Sequence, residues 1–199
     1  MFGLTLPADH ATRYRYGQEW WDIIRQVWEN PDSADWDGEF FKLKGARCSP
    51  RPHGHTLPPV MNAGSSSEGR EFAARNCDFL FTVMIDPERG KADVAHIQAL
   101  ARARYQRELA VFTTTYVVCR PTRREAEEYH HHYAVTHADG PAVERLMELQ
   151  GLHAQSFPPA MIDALRVQFA GGHGVYPLLG DPDFIAEEIA RIHQAGYAG

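Results

Sequence analysis

Basic residues are too few to dominate this chain. Its 20 lysines and arginines are outnumbered by 26 aspartates and glutamates, leaving a formal charge of −6. No basic stripe is available to follow a phosphate backbone, so DNA or RNA binding is not expected. Cysteine is scarce as well. Cys48, Cys77 and Cys119 are odd in number, far apart and form no CxxC pair, which excludes a disulfide scaffold and fits the reduced thiols of a cytoplasmic protein. No apolar run approaches the ~20 residues of a membrane span. The opening MFGLTLPADHATRYRY lacks the basic-then-apolar order of a secretory leader. GxSxG, GxxxxGK[ST], GxGxxG and HExxH are all missing, so hydrolase, nucleoside triphosphatase, dinucleotide-fold and zinc-protease readings have no motif behind them.

What is present reads as one globular domain over residues 1–199. Hydrophobic residues make up 44% and charged residues 23%, the balance of a chain that can bury a core. From Ala11 to Glu29, Tyr14, Gly17, Trp21, Ile24 and Trp28 recur at helical spacing, flanked by Trp20, Ile23 and Val27. Pro31 and Asp32 close that helix. Residues 32–59, rich in Gly and Pro, read as a long irregular loop tacked down by Phe40, Phe41 and Leu43. Three apolar runs then read as buried strands: 60–63, 78–85 and 109–119. Helices are expected at 68–76, 87–106, 123–135, 141–152, 159–169 and after Asp181-Pro182, where an N-cap precedes Pro at the first helical position. Alternation of apolar strands with helices argues for a parallel α/β sheet with its crossover helices on one side. Three strands alone leave such a sheet uncovered. The pattern fits an interior piece of a (β/α)8 barrel, with a freestanding three-stranded sheet as the alternative.

One local feature stands out: Asn62-Ala63-Gly64-Ser65-Ser66-Ser67-Glu68-Gly69-Arg70. A buried strand ends, Gly64 allows a tight turn and close backbone approach, and three hydroxyls precede a helix. Ser65 and Glu68 stand at capping-box spacing. The free N–H groups and positive end of the helix suit a phosphate, although an ordinary capped helix needs the same residues. A second candidate is an arginine beside a tyrosine early in the first helix, either Arg13-Tyr14 or Arg15-Tyr16, for pairing with phosphate oxygens. The triplet His130-His131-His132 reads as a solvated helix face, since consecutive helical positions point in different directions. His10, His53, His55 and His173 are placed in loops. No metal site is read.

Several blocks together resemble a known family. RYRYGQEWWDIIRQVWE, DWDGEFFKLKGARCSPRP, PPVMNAGSSSEGREFAARNCDF and YPLLGDPDFIAEEIARIHQAGYAG are similar to successive segments of the bacterial-luciferase-like flavin monooxygenases, in particular the pyrimidine, dimethylsulfone and alkanesulfonate branches. The resemblance implies a partial luciferase-like (β/α)8 TIM barrel in which the three strands are numbers five to seven and the chain stops at the threshold of strand eight. It implies FMN, reduced by a separate flavin reductase, and insertion of one oxygen atom from O2 into a small organic substrate. Ser66 takes the place of the family's phosphate-binding serine, beside Ser65 and Gly64. The resemblance to the pyrimidine branch also implies a flavin contact from an Arg-Tyr pair near the start of the preceding helix, and alignment of that block on Glu19 and Trp20 makes the pair Arg13-Tyr14 rather than Arg15-Tyr16. No catalytic residue carries over, because the segments that supply it in the family have no counterpart here. Two alternatives accompany this reading: an F420-dependent oxidoreductase of the same fold, and a non-catalytic barrel fragment or subunit. Exposed strand edges imply a homo-oligomer or association with a chain supplying the missing strands.

Overall fold

Asp9 starts the first helix by accepting the Thr12 amide at 2.8 Å, and helix α1 runs His10–Glu29. The computed structural model describes residues 7, 9–30, 32–152 and 159–199, without the side chains of His55, Pro159 and Ala160. Pro31, expected to end α1, lies outside the described residues. At the helix end Arg51 donates to the Trp28 and Glu29 carbonyls at 3.0 and 3.3 Å, satisfying acceptors that a helix terminus leaves open. Along the chain follow β1 (Ala34–Asp37), β2 (Lys42–Ala46), β3 (Met61–Asn62), α2 (Ser67–Asn76), β4 (Phe79–Phe81), α3 (Pro87–Tyr105), β5 (Ala110–Phe112), β6 (Thr115–Cys119), α4 (Arg123–His131), α5 (Gly140–Leu149), α6 (Pro159–Gly172), β7 (Tyr176–Gly180) and α7 (Pro182–Gln194). The described residues fall into two compact units, residues 1–80 with 100–109, and residues 81–99 with 110–199.

In the first unit α1 buries Trp21, Ile23 and Val27, while Ala73, Ala74, Cys77 and Leu80 are fully enclosed. Trp20, expected on the apolar face, is 50% exposed. β3 pairs in parallel with β4, Met61 opposite Phe79 and Asn62 opposite Leu80. Asp78 fixes this register. Its carboxylate accepts the Val60 amide at 2.9 Å, its own amide donates to the Val60 carbonyl, and Arg107 holds it at 3.0 Å. All three cysteines are free, and burial pushes the Cys77 thiol up to about 11 against the lowering pull of Arg107.

Residues 32–59 are not the irregular loop expected from their Gly and Pro content. β1 and β2 form an antiparallel hairpin with Trp36 opposite Leu43. The strand pattern was masked because its exposed cross-strand partners are charged: Lys42 pairs with Asp37, and Lys44 with Asp35 at 3.0 Å. Glu19 of α1 secures the hairpin. Its carboxylate accepts the Trp36 indole N–H at 2.9 Å and the Phe40 and Phe41 amides at 3.0 and 2.9 Å.

In the second unit the expected strand 109–119 is two strands, broken at Thr113-Thr114. β5 turns to the last residues of the chain: Ala198 donates to the Val111 carbonyl at 2.8 Å and Thr113 to the Gly199 carbonyl at 3.0 Å. Thr82, just after β4, donates to the Phe112 carbonyl at 2.9 Å. β6 instead pairs in parallel with β7, Thr115–Cys119 against Tyr176–Gly180. β7 escaped the sequence reading because Pro177 demotes a short apolar run as a strand. Met147, Ile162 and Phe169 form the core joining α5 and α6. A single π-helical turn, His132–Thr136, follows α4. His131 and His132 are exposed, but His130 is not solvent-facing as expected. It stacks on Tyr116, whose hydroxyl lies 3.0 Å from its Nε2.

Burial raises the Glu19 carboxyl, but the Phe40 amide, the Trp36 indole and the Phe41 and Glu39 amides outweigh it and leave the pKa below 4.5. The folded state therefore gains from this carboxylate above the unfolded value, and the gain disappears as pH falls through the depressed folded value. Glu19→Ala leaves three donors without their acceptor and is expected to cost about 1.5–3 kcal/mol in urea unfolding at pH 7. The difference from the unsubstituted protein should shrink as the pH falls through the depressed folded value. An unchanged unfolding midpoint at pH 7 would remove Glu19 from this role.

Candidate functional site

The serine turn begins where β3 ends. The Asn62 side chain accepts the Gly64 amide at 2.7 Å, an Asx turn that bends the chain immediately after the strand. Ser66 then caps α2, its hydroxyl accepting the Gly69 amide at 3.1 Å. The expected capping box between Ser65 and Glu68 does not form, because the helix starts one residue later. Ser65 is exposed, and its carbonyl accepts from Arg70 Nε at 3.3 Å. Gly64 and Gly69 lie backbone against backbone. A Cβ on Gly64 would stand 2.7 Å from Gly69 Cα, and a Cβ on Gly69 would stand 2.8 Å from Gly64 Cα and 2.6 Å from the Tyr14 hydroxyl.

That last distance places Tyr14 on the turn. Its ring also meets Phe72 of α2 at 6.3 Å and His10 at 5.0 Å between centroids. Tyr16 faces the other way, onto Phe40 and Phe41, and Arg15 pairs with Glu39 at 3.1 Å. Positions two apart on a helix point in nearly opposite directions, so α1 sorts the two Arg-Tyr pairs by itself. Arg13 is exposed, and its guanidinium reaches back to the Pro7 carbonyl at 3.5 Å. Tyr14 brings its hydroxyl to the turn.

Two residues that the sequence placed elsewhere, His10 in a loop and Glu68 as a capping partner of Ser65, also belong here. His10 is not in a loop but opens α1, and its Nδ1 lies 3.3 Å from the Glu68 carboxylate. Glu68 in turn accepts the Ser67 hydroxyl at 2.9 Å. Its carboxyl is held below the ordinary range by its own backbone N–H, then by Ser67, with His10 and Ser66 adding to the same effect against burial. Their signal was available, since an acidic residue in a first helical turn meets unsatisfied amides, but the partner across 58 residues was not. From the turn an open groove of about 630 Å³ runs along α1 and α2, lined among others by Tyr14, Gln18, Asp22, Glu68, Phe72 and Tyr105.

Hydroxyls, first-turn amides and a glycine pair that admits close approach form a donor set suited to a phosphate. Solved structures share the fold. DmoA from Hyphomicrobium sulfonivorans superposes with a TM-score of 0.80 at 19% identity, over 98% of this chain and 52% of its own. The long-chain alkane monooxygenase LadA gives 0.78 at 20% identity, over 100% and 53%. The fold is thus of the luciferase-like TIM-barrel type. The chain belongs to the luciferase-like monooxygenase family, whose model matches residues 1–199. Among curated relatives, the pyrimidine monooxygenase RutA of Rhizobium rhizogenes strain K84 is 35% identical over 124 residues, 60% of this chain and 33% of the relative. The FMNH2-dependent dimethylsulfone monooxygenase of Pseudomonas fluorescens strain Pf0-1 is 27% identical over 194 residues, 94% and 52%. The chain spans about half the length of this second relative and of both solved structures. Among the described residues, no helix is long and apolar enough to cross a membrane.

Gly64→Ala should force the Gly64–Gly69 contact apart. A loss of about 1–3 kcal/mol in urea unfolding is expected from overpacking. A wild-type midpoint would mean that the turn opens freely.

Proposed function

We propose that this chain is the flavin-binding segment of a two-component monooxygenase that uses reduced FMN and O2 to oxygenate a small organic substrate. The reading rests on one observation: within a chain matched by the family model along its whole length, the turn after β3 offers hydroxyls, first-turn amides and Tyr14 at one point. The names of the relatives support the same chemistry, including one that is FMNH2-dependent.

Ser66, with Ser65 and Gly64 at the turn, would receive the flavin's phosphate, Tyr14 would add a hydroxyl donor, and Arg13 would approach from the exposed side of α1. FMN, when bound, supplies the oxygen chemistry; the residues of this chain bind and orient it. A separate flavin reductase would supply the reduced cofactor. β3, β4 and β5 would correspond to barrel strands five to seven within one domain over residues 1–199. The rest of the barrel would come from a further segment or from an associating chain, a homo-oligomer included. Exclusion of water from the reacting centre needs a closed cavity. The 199-residue chain by itself should therefore turn over little, and robust product formation with reduced FMN and O2 would refute the partial barrel.

The cofactor assignment is tested by calorimetric titration with FMN and with F420. FMN is expected to bind and F420 not, the reverse result favouring an F420-dependent oxidoreductase. Ser66→Ala should weaken FMN binding by about 0.5–3 kcal/mol, the worth of a neutral or charge-assisted hydrogen bond. An unchanged dissociation constant would take Ser66 out of the site.

A further inference from the structure

Past the end of α4 the chain takes one π-helical turn, and that turn re-aims two histidines. In an α-helix, positions five apart point about 140° away from each other. Here the His137 amide donates to the His132 carbonyl at 3.0 Å, a bond across five residues that stacks residue 137 over residue 132. Their imidazole rings meet at 4.2 Å between centroids, with 60° between the planes. The turn is held from the inside: Ala134 is buried, and the Tyr133 hydroxyl donates to the Gly171 carbonyl at 3.1 Å. His132 and His137 are left outside, both exposed. Among the described residues neither imidazole makes a hydrogen bond, so each ring can turn a nitrogen toward a common point. Of the triplet it is His132 that joins this pair, while His130 stacks on Tyr116.

Neutral imidazole is the commonest side-chain ligand of the later first-row divalent metals. Two imidazoles bound about 2.0–2.1 Å from one ion bring their centroids to about 4.5 Å when they meet it at a right angle, and to about 5.2 Å at a tetrahedral angle. The observed separation lies near the first value. Right angles between neighbouring nitrogens belong to tetragonal coordination, the geometry of Cu2+ and Ni2+. We propose that His132 and His137 form a two-imidazole chelating site for a divalent cation of this class. Among the described residues no cluster of three or more His, Cys, Asp or Glu side chains is placed to hold a metal ion. Water or an outside ligand therefore completes the coordination, and the site is an open one. It lies in the second unit and does not depend on the flavin reading.

The test titrates the chain, free of any added histidine tag, with Ni2+ by calorimetry. A single tight Ni2+ is expected. His132→Ala and His137→Ala should each weaken it roughly tenfold or more, because a chelate then loses its second arm. His131→Ala, the exposed neighbour outside the pair, should leave binding unchanged. Excess Mg2+, a hard cation that takes oxygen ligands, should not compete. Circular dichroism confirms the fold of each variant. A parallel NMR titration needs no substitution: paramagnetic Ni2+ should broaden the ring signals of His132 and His137 together, ahead of those of His131 and His173.

No Ni2+ binding to the unsubstituted chain overturns the site. So does binding that survives either substitution within the pair, disappears in His131→Ala or yields to Mg2+. Broadening of one ring of the pair without the other has the same consequence.

Discussion

The meeting of Gly64 and Gly69 is the constraint on which the site depends. Two backbone segments approach so closely that a methyl group on either would stand within 2.8 Å of the other's Cα. That approach folds the chain back from the end of β3 into the start of α2. Everything placed there follows from it: the Ser66 cap, the first-turn amides and the Tyr14 hydroxyl over Gly69. The Asx turn at Asn62 starts the bend, and the Asp78 contacts with Val60 fix where β3 ends. The site is thus built mainly from backbone geometry, and the side chains decorate it.

Helix α1 distributes chemistry by periodicity. Tyr14 and Tyr16 are two residues apart and serve different structures, one the serine turn and the other the hairpin aromatics. Glu19 adds a second anchor to the hairpin by gathering an indole and two amide donors on one carboxylate. A polar group partly withdrawn from water is stable there because each desolvation cost meets a hydrogen bond. The same rule explains why Glu68 settles at the α2 N-terminus, where orphan amides await an acceptor.

Helices were legible because their caps and periodicity are local. Thr122 and Asp181 cap where expected, and every anticipated helix exists within a few residues. The strand-turn-helix at 62–70 was legible for the same reason, although its cap falls on Ser66 and not on Ser65. The hairpin 34–46 was not, since charged cross-strand pairs replace the apolar alternation that marks a half-buried strand. β7 was hidden by Pro177, and the break between β5 and β6 by an unbroken run of strand-forming residues. That break is set by partners distant in sequence, the chain's last residues for β5 and β7 for β6. The His10–Glu68 contact was out of reach on the same ground. Arg13 remains placed by resemblance; its guanidinium donates to the Pro7 carbonyl.

All four tryptophans, Trp20, Trp21, Trp28 and Trp36, lie between α1 and the first hairpin strand. Intrinsic indole emission from this protein is therefore a spectroscopic window on the first unit alone. Trp20, half exposed, contributes a solvent-relaxed component, while Trp21, buried at 6% exposure, contributes a blue one. The second unit, whose aromatic residues are phenylalanines and tyrosines, stays dark under excitation near the red edge of the ultraviolet band. Loss of structure around α1 and the first hairpin strand can consequently be followed without attaching any label.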